Sequence, residues 1–328
     1  MRIKNSTVVI TGADSGIGRA TALRFAKKGA RVVLASRDAA ALETLAADCR
    51  RRGAKALAVQ TDVADPEAVE ELCESAVGNF GRIDIWVNNA GTGVFGPFLD
   101  TPLEDIQRVV DVDLMGVVHG AREALEQMRA QGEGVLINVA SMAGIIPQPY
   151  TSAYSMSKAA VRALGVSLRS ELRLARVKDI HVVTVSPGAV DTPFFDHVAN
   201  YTGQDTRPIP PTYSPDKIAA AIVNVARSPQ RELTVGLIPK AMVAKHKLFP
   251  QAVERRMATL THRKHLKATQ PAPPTKGNLD RAAGDDATGR RGRKTGGHGG
   301  RTKTMARRLL VIGGAAGVTA FAAFRWRQ

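Results

Sequence analysis

The chain has 328 residues, 44% of them hydrophobic, with a formal net charge of +16 at pH 7. This length predicts one large α/β domain with an appendage. Its two cysteines, Cys49 and Cys73, have no metal-ligand spacing around them, which excludes a disulfide scaffold and predicts buried free thiols and no metal site. Residues 251–328 hold 17 Lys+Arg and 4 Asp+Glu, so the basicity belongs to the tail.

Short apolar runs alternate with helical patterns along the first 240 residues. Continuously apolar strands are typical of a sheet that is covered on both faces. The alternation therefore predicts an α/β fold with a Rossmann-type, doubly wound parallel sheet over residues 1–240. The predicted strands are Thr7–Thr11, Arg31–Ala35, Lys55–Gln60, Ile83–Asn88, Gly134–Val139, His181–Ser186 and Leu233–Ile238, and the predicted helices include Gly18–Lys28, Ala39–Arg52 and Asp216–Arg227.

A glycine-rich turn joins the first predicted strand to the first predicted helix. Its spacing, Gly-x-x-x-Gly-x-Gly, differs from the usual Gly-x-Gly-x-x-Gly and by itself also occurs by chance in loops. At a strand-to-helix junction, however, such glycines let the backbone and the helix N-terminus approach a pyrophosphate. We therefore expect a dinucleotide site that includes Gly12, Ser15, Gly16, Ile17 and Gly18.

The end of the second strand bears on the choice between the two nicotinamide cofactors. An acidic residue there binds the ribose 2′-hydroxyl of NAD, whereas a basic residue accommodates the 2′-phosphate of NADP. The chain has Ser36 and Arg37 at this point, followed by Asp38, with Asp14 in the glycine turn. Arg37 offers a planar fork for phosphate and predicts NADP, with NAD as the less favoured cofactor. The alternative is that Arg37 is a solvated turn residue.

Two further strand ends carry candidate cofactor residues. Ligands of such sheets bind at the carboxyl ends of the strands. Asp62 and Val63 would contact the adenine, and Asn89, Ala90 and Gly91 would let the backbone pass beside the ribose. Ordinary turn chemistry is the alternative for both groups.

A tyrosine, a lysine and a serine form the candidate catalytic group. Tyr154 and Lys158 are four residues apart and share a helix face, so the lysine charge is expected to lower the pKa of the phenol. The phenol would then deliver a proton to the alkoxide that forms when hydride reaches a carbonyl. Ser141 follows an apolar strand and would hydrogen-bond the substrate oxygen.

Over about residues 5–240 the chain resembles the short-chain dehydrogenase/reductase family. The resemblance depends on Thr11–Gly18, Asn88–Gly91, Ser141, Tyr154–Lys158 and Pro187-Gly188 with Thr192. It implies that Ser141, Tyr154 and Lys158 are catalytic, and that the last two also contact the cofactor. It further implies that Pro187, Gly188, Val190 and Thr192 pack on the nicotinamide.

One residue departs from the family pattern. In relatives an asparagine in a Val-Asn-Leu-x-Gly context helps to hold a water that links the lysine to solvent, but this chain has Asp113 there. The carboxylate could accept from that water, pair with Lys158 and shift the pH optimum. The alternative is a tolerated near-isostere.

The segment 193–213 is expected to fold over the substrate. Its apolar side chains, with others nearby in the motif layout, predict a pocket for a bulky ketone or alcohol, although the same aromatics could simply pack a lid. The residues are Phe194, Phe195, Tyr201 and Ile209, with Phe95, Phe98, Ile145 and Ile146.

The tail divides into three predicted parts. Residues 241–268 form a basic helical extension interrupted by Pro250, and 269–304 have the composition of a flexible linker. Within 305–328, Leu309–Phe324 is a run of sixteen uncharged residues flanked by arginines. As a helix it would span roughly 24 Å, short for a bilayer core of about 30 Å but sufficient for an anchor with snorkelling arginines. A helix buried on the globular body is the alternative.

The combined expectation is an NADP(H)-dependent oxidoreductase that interconverts an apolar ketone and a secondary alcohol. We expect a homo-oligomer with a cytoplasmic catalytic domain that is attached to a membrane by its C-terminus. Nucleic acid is not an expected partner, because no aromatic residues interleave the basic tail. Two alternatives stay open: a membrane-tethered NADP-binding sensor or scaffold with weak catalysis, and a reductase tethered to nucleic acid by the tail.

Overall fold

The computed structural model describes residues 1–281, and of 264, 265 and 267–270 only the backbone. Its strands are β1 (Thr7–Thr11), β2 (Arg31–Ser36), β3 (Ala56–Gln60), β4 (Ile85–Asn88), β5 (Val94–Phe95), β6 (Gly134–Val139), β7 (Ile180–Pro187), β8 (Ala199–Asn200), β9 (Gln204–Thr206), β10 (Glu232–Val235) and β11 (Leu266–Pro271). Its α-helices are α1 (Gly16–Lys27), α2 (Ala39–Arg51), α3 (Pro66–Phe80), α4 (Leu103–Val110), α5 (Gly116–Gln131), α6 (Ser152–Leu174), α7 (Phe194–His197), α8 (Pro215–Arg227), α9 (Leu237–Leu248) and α10 (Pro250–Leu260).

Seven parallel strands form the central sheet in the order β10-β7-β6-β4-β1-β2-β3. Every residue of β1, β4 and β6 is buried, as expected for strands with helices on both faces. The strand order reverses between β1 and β4, and a ligand crevice is expected at the carboxyl ends of strands beside such a reversal. The predicted α/β fold with a parallel Rossmann-like sheet is confirmed.

Two apolar clusters cover the two faces of the sheet. One contains Phe25 and Leu42 of α1 and α2, and the other contains Leu72 and Met128 of α3 and α5. Both cysteines are free thiols buried in these clusters, as the sequence predicts. Burial raises the pKa of the Cys49 thiol to about 11 and that of Cys73 to about 12, so both thiols are protonated at neutral pH.

The last strand of the sheet is shorter than the sequence predicts. The predicted strand Leu233–Ile238 ends at Val235, and α9 begins at Leu237. Gly236 lies between them with a φ of 110°, a conformation that favours glycine. A Cβ atom at this position would lie 2.5 Å from the Tyr213 hydroxyl, so the turn also requires the missing side chain.

The chain after the sheet returns to the catalytic face. Helices α9 and α10 meet at Pro250, which occupies the first turn of α10, a position where proline is tolerated. Strand β11 then pairs antiparallel with β9. Among the described residues, no helix has both the length and the apolar character needed to cross a bilayer.

Residues 269–281, predicted as the start of a flexible linker, lie on the domain instead. Thr275 and Asn200 exchange backbone hydrogen bonds, and the Leu279 side chain is completely buried. Gly277 fits close to His197, whose carbonyl oxygen would lie 2.1 Å from an added Cβ atom. Backbone pairing and one buried leucine therefore hold a segment whose composition suggests a linker. The rest of that linker, 282–304, and the predicted anchor Leu309–Phe324 lie outside the described residues.

Candidate active site

The glycine turn has the geometry of an anion site. Gly12 and Gly16 have φ values of 60° and 49°, a left-handed backbone that glycine adopts without strain. Helix α1 begins at Gly16, and its N-cap residue Ser15 makes no side-chain cap hydrogen bond with the described residues. The first N–H groups of α1 therefore stand over a cleft that Ser15, Gly16 and Ile17 line, and the turn fits a dinucleotide pyrophosphate.

The loop after β4 fixes this turn. Thr11 Oγ1 accepts from the backbone N–H groups of Asn89 at 3.0 Å and Ala90 at 3.1 Å. The Asn89 side-chain amide donates to the carbonyl oxygens of Thr11 at 2.9 Å and Gly12 at 3.0 Å. Asn89 thus positions the turn as well as lining the cleft. Gly18 does not line this cleft. An added Cβ atom at Gly18 would lie 1.9 Å from Gly12 O, so this glycine lets α1 pack closely on the turn.

Most of the predicted cofactor residues converge on two adjoining cavities. A narrow cleft of about 190 Å³ is lined by Gly12, Ser15, Gly16, Ile17, Ser36, Arg37, Asp62, Val63, Asn89, Ala90, Gly91 and Thr192. A larger cavity of about 950 Å³ is lined by Tyr154, Lys158, Pro187, Gly188 and Val190. Ile17, Asn89, Gly91 and Thr192 line both, so the two cavities adjoin.

Four charged residues, Asp14, Arg37, Asp38 and Asp62, line the cleft. Arg108 Nη2 donates to Asp62 Oδ2 at 2.5 Å, and this contact holds the pKa of Asp62 below its usual range although burial opposes the shift. Burial raises the pKa of Asp14, which lies beside Arg37. The Asp38 carboxylate accepts from Ala41 N–H at 2.9 Å and caps α2. One oxygen of the Asp38 carboxylate is therefore occupied by a backbone N–H group of α2.

Residues 275–281, which we call the strap, cross the cleft at Arg37. The Arg37 guanidinium donates to the carbonyl oxygens of Leu279 at 2.8 Å, Asn278 at 2.6 Å and Arg281 at 3.0 Å. Arg108 Nε also donates to Leu279 O at 3.1 Å, and Thr92 Oγ1 donates to Asn278 Oδ1 at 3.0 Å. Asn278 lines the cleft. Arg37 is therefore not a solvated turn residue, because its fork is occupied by the strap.

The three candidate catalytic residues meet in the larger cavity. Tyr154 and Lys158 lie one turn apart near the start of α6, and Lys158 Nζ is 5.6 Å from the centroid of the Tyr154 ring. Ser141, which follows β6, hydrogen-bonds Tyr154. Its Oγ also accepts from Ala143 N–H at 3.1 Å, which orients the hydroxyl. The arrangement places a proton donor at the wall of an apolar cavity.

Asp113 forms a buried ion pair with Lys158. It lies in a π-helical turn, Asp111–Met115, between α4 and α5, and such turns are frequent at functional sites. Asp113 Oδ2 is 2.9 Å from Lys158 Nζ, and Thr92 N–H donates to Oδ1 at 2.6 Å. Gly91 lies close beside the pair, because an added Cβ atom would lie 3.3 Å from Asp113 Oδ2 and from Lys158 Nζ.

This ion pair changes the electrostatics expected for Tyr154. Burial raises the pKa of Tyr154 above its ordinary value, and the Asp113 carboxylate adds to that shift. The Lys158 charge and the hydrogen bond with Ser141 both lower the pKa of Tyr154, as expected, but they are smaller than the opposing effect of burial and Asp113. Burial acts to lower the pKa of Lys158, but the Asp113 carboxylate holds that pKa above its usual range. The expectation of a lowered Tyr154 pKa is therefore wrong, because the effect of burial outweighs that of the lysine charge.

The larger cavity is mostly apolar and extends from Tyr154 to α9 and α10. Phe194 forms one wall, with its ring centroid 5.6 Å from that of Tyr154. Four of the predicted pocket residues line the cavity, namely Phe95, Phe194, Phe195 and Ile209. Helices α9 and α10 contribute more of its wall, including Met242, Val253, Met257 and Leu260.

Four other predicted pocket residues lie elsewhere. Phe98 is 64% exposed, and the Tyr201 hydroxyl donates to Asp105. Ile145 and Ile146 pack behind Met142 in a cluster with Met257. Sequence proximity to the motifs does not distinguish these residues from the lining ones.

With this geometry in place, comparison with known proteins identifies the family. Residues 6–201 match the family profile described as short chain dehydrogenase. The chain belongs to the short-chain dehydrogenase/reductase family. It is an oxidoreductase of that family, and the fold binds a nicotinamide cofactor.

Several relatives of this short-chain dehydrogenase/reductase are similar over most of its length. The uncharacterized oxidoreductase YxnA of Bacillus subtilis is 36% identical over 278 residues, which cover 83% of this chain and 77% of YxnA. The 3beta-hydroxysteroid dehydrogenase 1 of Eggerthella lenta is 38% identical over 227 residues, or 67% of this chain and 85% of that protein. A Burkholderia phymatum short chain dehydrogenase/reductase crystallised with NAD has a TM-score of 0.70 at 26% identity, covering 84% of this chain and 99% of the other.

Sequence reasoning missed four residues of this short-chain dehydrogenase/reductase site. Thr92 donates to Asp113, Arg108 pairs with Asp62, and the strap residues Asn278 and Leu279 hold Arg37. Arg108 lies on an amphipathic helix with no motif around it. The strap lies in a stretch of linker composition, where only the glycine at 277 and the lone leucine at 279 could have indicated a folded segment.

Proposed function

We propose that this protein is an NADP(H)-dependent oxidoreductase that interconverts an apolar ketone and a secondary alcohol. The observation that carries the proposal is that the two cavities adjoin. The glycine turn lines the narrow cleft, and Tyr154, Lys158 and Ser141 line the mostly apolar cavity of about 950 Å³ beside it. A panel of apolar ketones and secondary alcohols, each assayed with both nicotinamides, tests it.

Tyr154 is the proton donor in this proposal. When bound, the reduced nicotinamide supplies a hydride to the carbonyl carbon. As the C=O π bond breaks, the Tyr154 hydroxyl gives its proton to the oxygen, and Ser141 holds that oxygen by a hydrogen bond. Lys158 stabilises the resulting phenolate. Because the pKa of Tyr154 is raised, the phenol is protonated at neutral pH, which suits reduction; oxidation needs the phenolate and is favoured at alkaline pH.

The choice of NADP is supported by the residues that follow β2. Arg37 presents a fork that suits a phosphate, Ser36 offers a hydroxyl, and Asp38 is engaged in capping α2. A phosphate carries the opposite charge and can accept two parallel hydrogen bonds from a guanidinium, whereas the strap carbonyls are neutral. A 2′-phosphate would therefore take the Arg37 fork from the strap carbonyls, and binding of NADP would displace the strap from Arg37.

Asp113→Asn should leave the enzyme active and move its pH profile to lower pH. The Asp113 carboxylate raises the pKa values of both Tyr154 and Lys158, so its removal should lower both. In ketone reduction, kcat/KM falls as pH rises through the pKa of Tyr154, and this alkaline limb should therefore appear at lower pH. The measurement is kcat/KM against pH for the two proteins.

Asp111→Asn is the matched control for that experiment. Asp111 lies in the same π-helical turn, but its carboxylate accepts from the Gln107 side chain and not from Lys158. Its profile should match that of the unmodified protein. Superimposable profiles for Asp113→Asn and the unmodified protein would show that Asp113 is a passive substitute for asparagine.

The proposal includes attachment of a cytoplasmic catalytic domain to a membrane through Leu309–Phe324. Sixteen uncharged residues with arginines at both ends support it, as does the basic stretch before them, which suits an anionic leaflet. A variant that lacks residues 282–328 keeps the strap and the site, and should therefore be active in the soluble fraction. Full-length protein should sediment with membranes.

Salt and detergent washes separate the two forms of attachment. Release of the full-length protein by detergent alone supports insertion of the apolar run. Release by salt alone would mean that the positive charge of residues 251–328 holds the protein electrostatically. Full-length protein that is soluble in low salt would contradict the anchor.

A further inference from the structure

The apolar cavity has two cations, outside any ion pair among the described residues, in the part of its wall that α9 and α10 form. Lys245 on α9 and Arg256 on α10 both line it, and both are exposed. Among the residues that the structure describes, neither side chain forms an ion pair. The described lining contains no Asp or Glu, and its remaining cation, Lys158, is already paired with Asp113.

Helix geometry accounts for the placement of these cations on the cavity wall. On α9, Ile238, Ala241, Met242 and Lys245 line the cavity, a spacing of i, i+3, i+4 and i+7 that corresponds to one helix face. On α10 the same face carries Ala252, Val253, Arg256, Met257 and Leu260. The cavity-lining face of α9 therefore includes the basic residue Lys245, and that of α10 includes Arg256.

The hairpin of the two helices is held together beside these residues. His246 Nε2 lies 2.9 Å from Glu254 Oε1, so the acidic side chain nearest to Arg256 in sequence is engaged by α9. Met257 of α10 is buried against Met142, next to the catalytic serine, which fixes α10 on the domain. Lys245 and Arg256 are consequently presented by packed helices.

We propose that the substrate is amphipathic: an apolar body with the reacting ketone or alcohol at Tyr154, and an anionic group, such as a carboxylate, at the far end against Lys245 and Arg256. This proposal depends on the function proposed above. A molecule that fills the cavity contacts the wall that carries these two exposed cations, where an anionic group gains two charge-assisted contacts and keeps part of its hydration. A neutral end gains neither contact.

The test compares a long-chain oxo fatty acid that has a mid-chain ketone with its methyl ester. Both have the same chain and the same ketone, and only the acid carries a charge. Calorimetry with the NADPH-loaded Tyr154→Phe variant, which lacks the proton-donating hydroxyl, gives the Kd of each compound. Turnover of each compound is measured with the unmodified protein. The acid should bind about tenfold more tightly than the ester, a difference of about 1.4 kcal/mol, because exposed charge contacts are individually weak.

Paired variants assign the preference to the two cations. Lys245→Gln with Arg256→Gln should remove the preference for the acid and leave the affinity for the ester unchanged. Lys247→Gln with Arg255→Gln is the matched control, because these neighbours are exposed on the same helices but do not line the cavity. The control should keep the preference.

The outcomes separate this inference from the proposed function. Equal affinity for acid and ester, or no affinity for the acid, overturns the anionic end, while turnover of the ester would leave the oxidoreductase function standing. Preferential binding of the acid without turnover of either compound would support the anion site and contradict the proposed reaction. A preference that survives in the Lys245/Arg256 variant would also overturn the inference.

Discussion

Replacement of Tyr154 by phenylalanine should reduce ketone turnover by about 10²–10⁴-fold and leave cofactor binding nearly unchanged. The Tyr154 phenol is the acid at the wall of the cavity, and Ser141 is hydrogen-bonded to Tyr154. The centroid of the phenol ring lies 5.6 Å from Lys158 Nζ. Phenylalanine keeps the ring and its contact with Phe194 but removes the proton. The measurements are kcat for a ketone identified by the substrate panel, and Kd for NADPH from nucleotide fluorescence.

Tyr150→Phe is the control for loss of a tyrosine hydroxyl near the same helix. The Tyr150 hydroxyl contacts His262 Nδ1 at 3.0 Å and does not line the catalytic cavity. Its turnover should stay close to that of the unmodified protein. Unchanged turnover in Tyr154→Phe would remove Tyr154 from the reaction.

Arg37→Asp should reverse the cofactor preference from NADPH to NADH. A hydrogen bond to a charged group contributes about 1.5–3 kcal/mol, so loss of the fork should weaken NADPH binding by roughly tenfold to a hundredfold. The new carboxylate offers an acceptor to the 2′-hydroxyl of NADH and repels a 2′-phosphate. The ratio of the two Kd values is the measurement.

The strap makes a second variant necessary. Arg37 binds three strap carbonyls, so its replacement also loosens residues 278–281. Leu279→Ala loosens the strap through loss of a buried side chain and keeps the guanidinium. If both variants change the ratio in the same direction, the strap and not the charge of Arg37 governs it. If the unmodified protein already prefers NADH, the NADP assignment is wrong.

The sheet and the nucleotide turn could be predicted from the sequence because their causes are local. Strands such as Thr7–Thr11 are uniformly apolar where both faces are covered, and the glycine turn stands at a strand-to-helix junction. The parallel order of the strands then brings Asp62, Asn89, Ser141 and Pro187 to the same edge. Strand-end position and the family resemblance together therefore predicted nearly all of the cofactor candidates that line the two cavities.

The rest depends on contacts between residues far apart in sequence. Arg37 is 242 residues from Leu279, whose carbonyl it binds, and no local pattern predicts that pairing. Likewise, the raised pKa of Tyr154 follows from burial by Phe194 and the cavity walls together with Asp113, not from the Tyr-x-x-x-Lys spacing. The sequence left the Lys158–Asp113 pair as one of two interpretations of Asp113, and the effect of that pair on the phenol pKa required the packing.

Transfer of deuterium from NADPH labelled at the transferable position of the nicotinamide tests the central claim most directly. With a ketone from the panel, mass spectrometry of the alcohol product should show one deuterium on the carbinol carbon for the unmodified protein. The Tyr154→Phe variant should form about 10²–10⁴-fold less of that product. Product without deuterium, or no NADPH consumption with any ketone although NADPH binds, would contradict hydride transfer at this site.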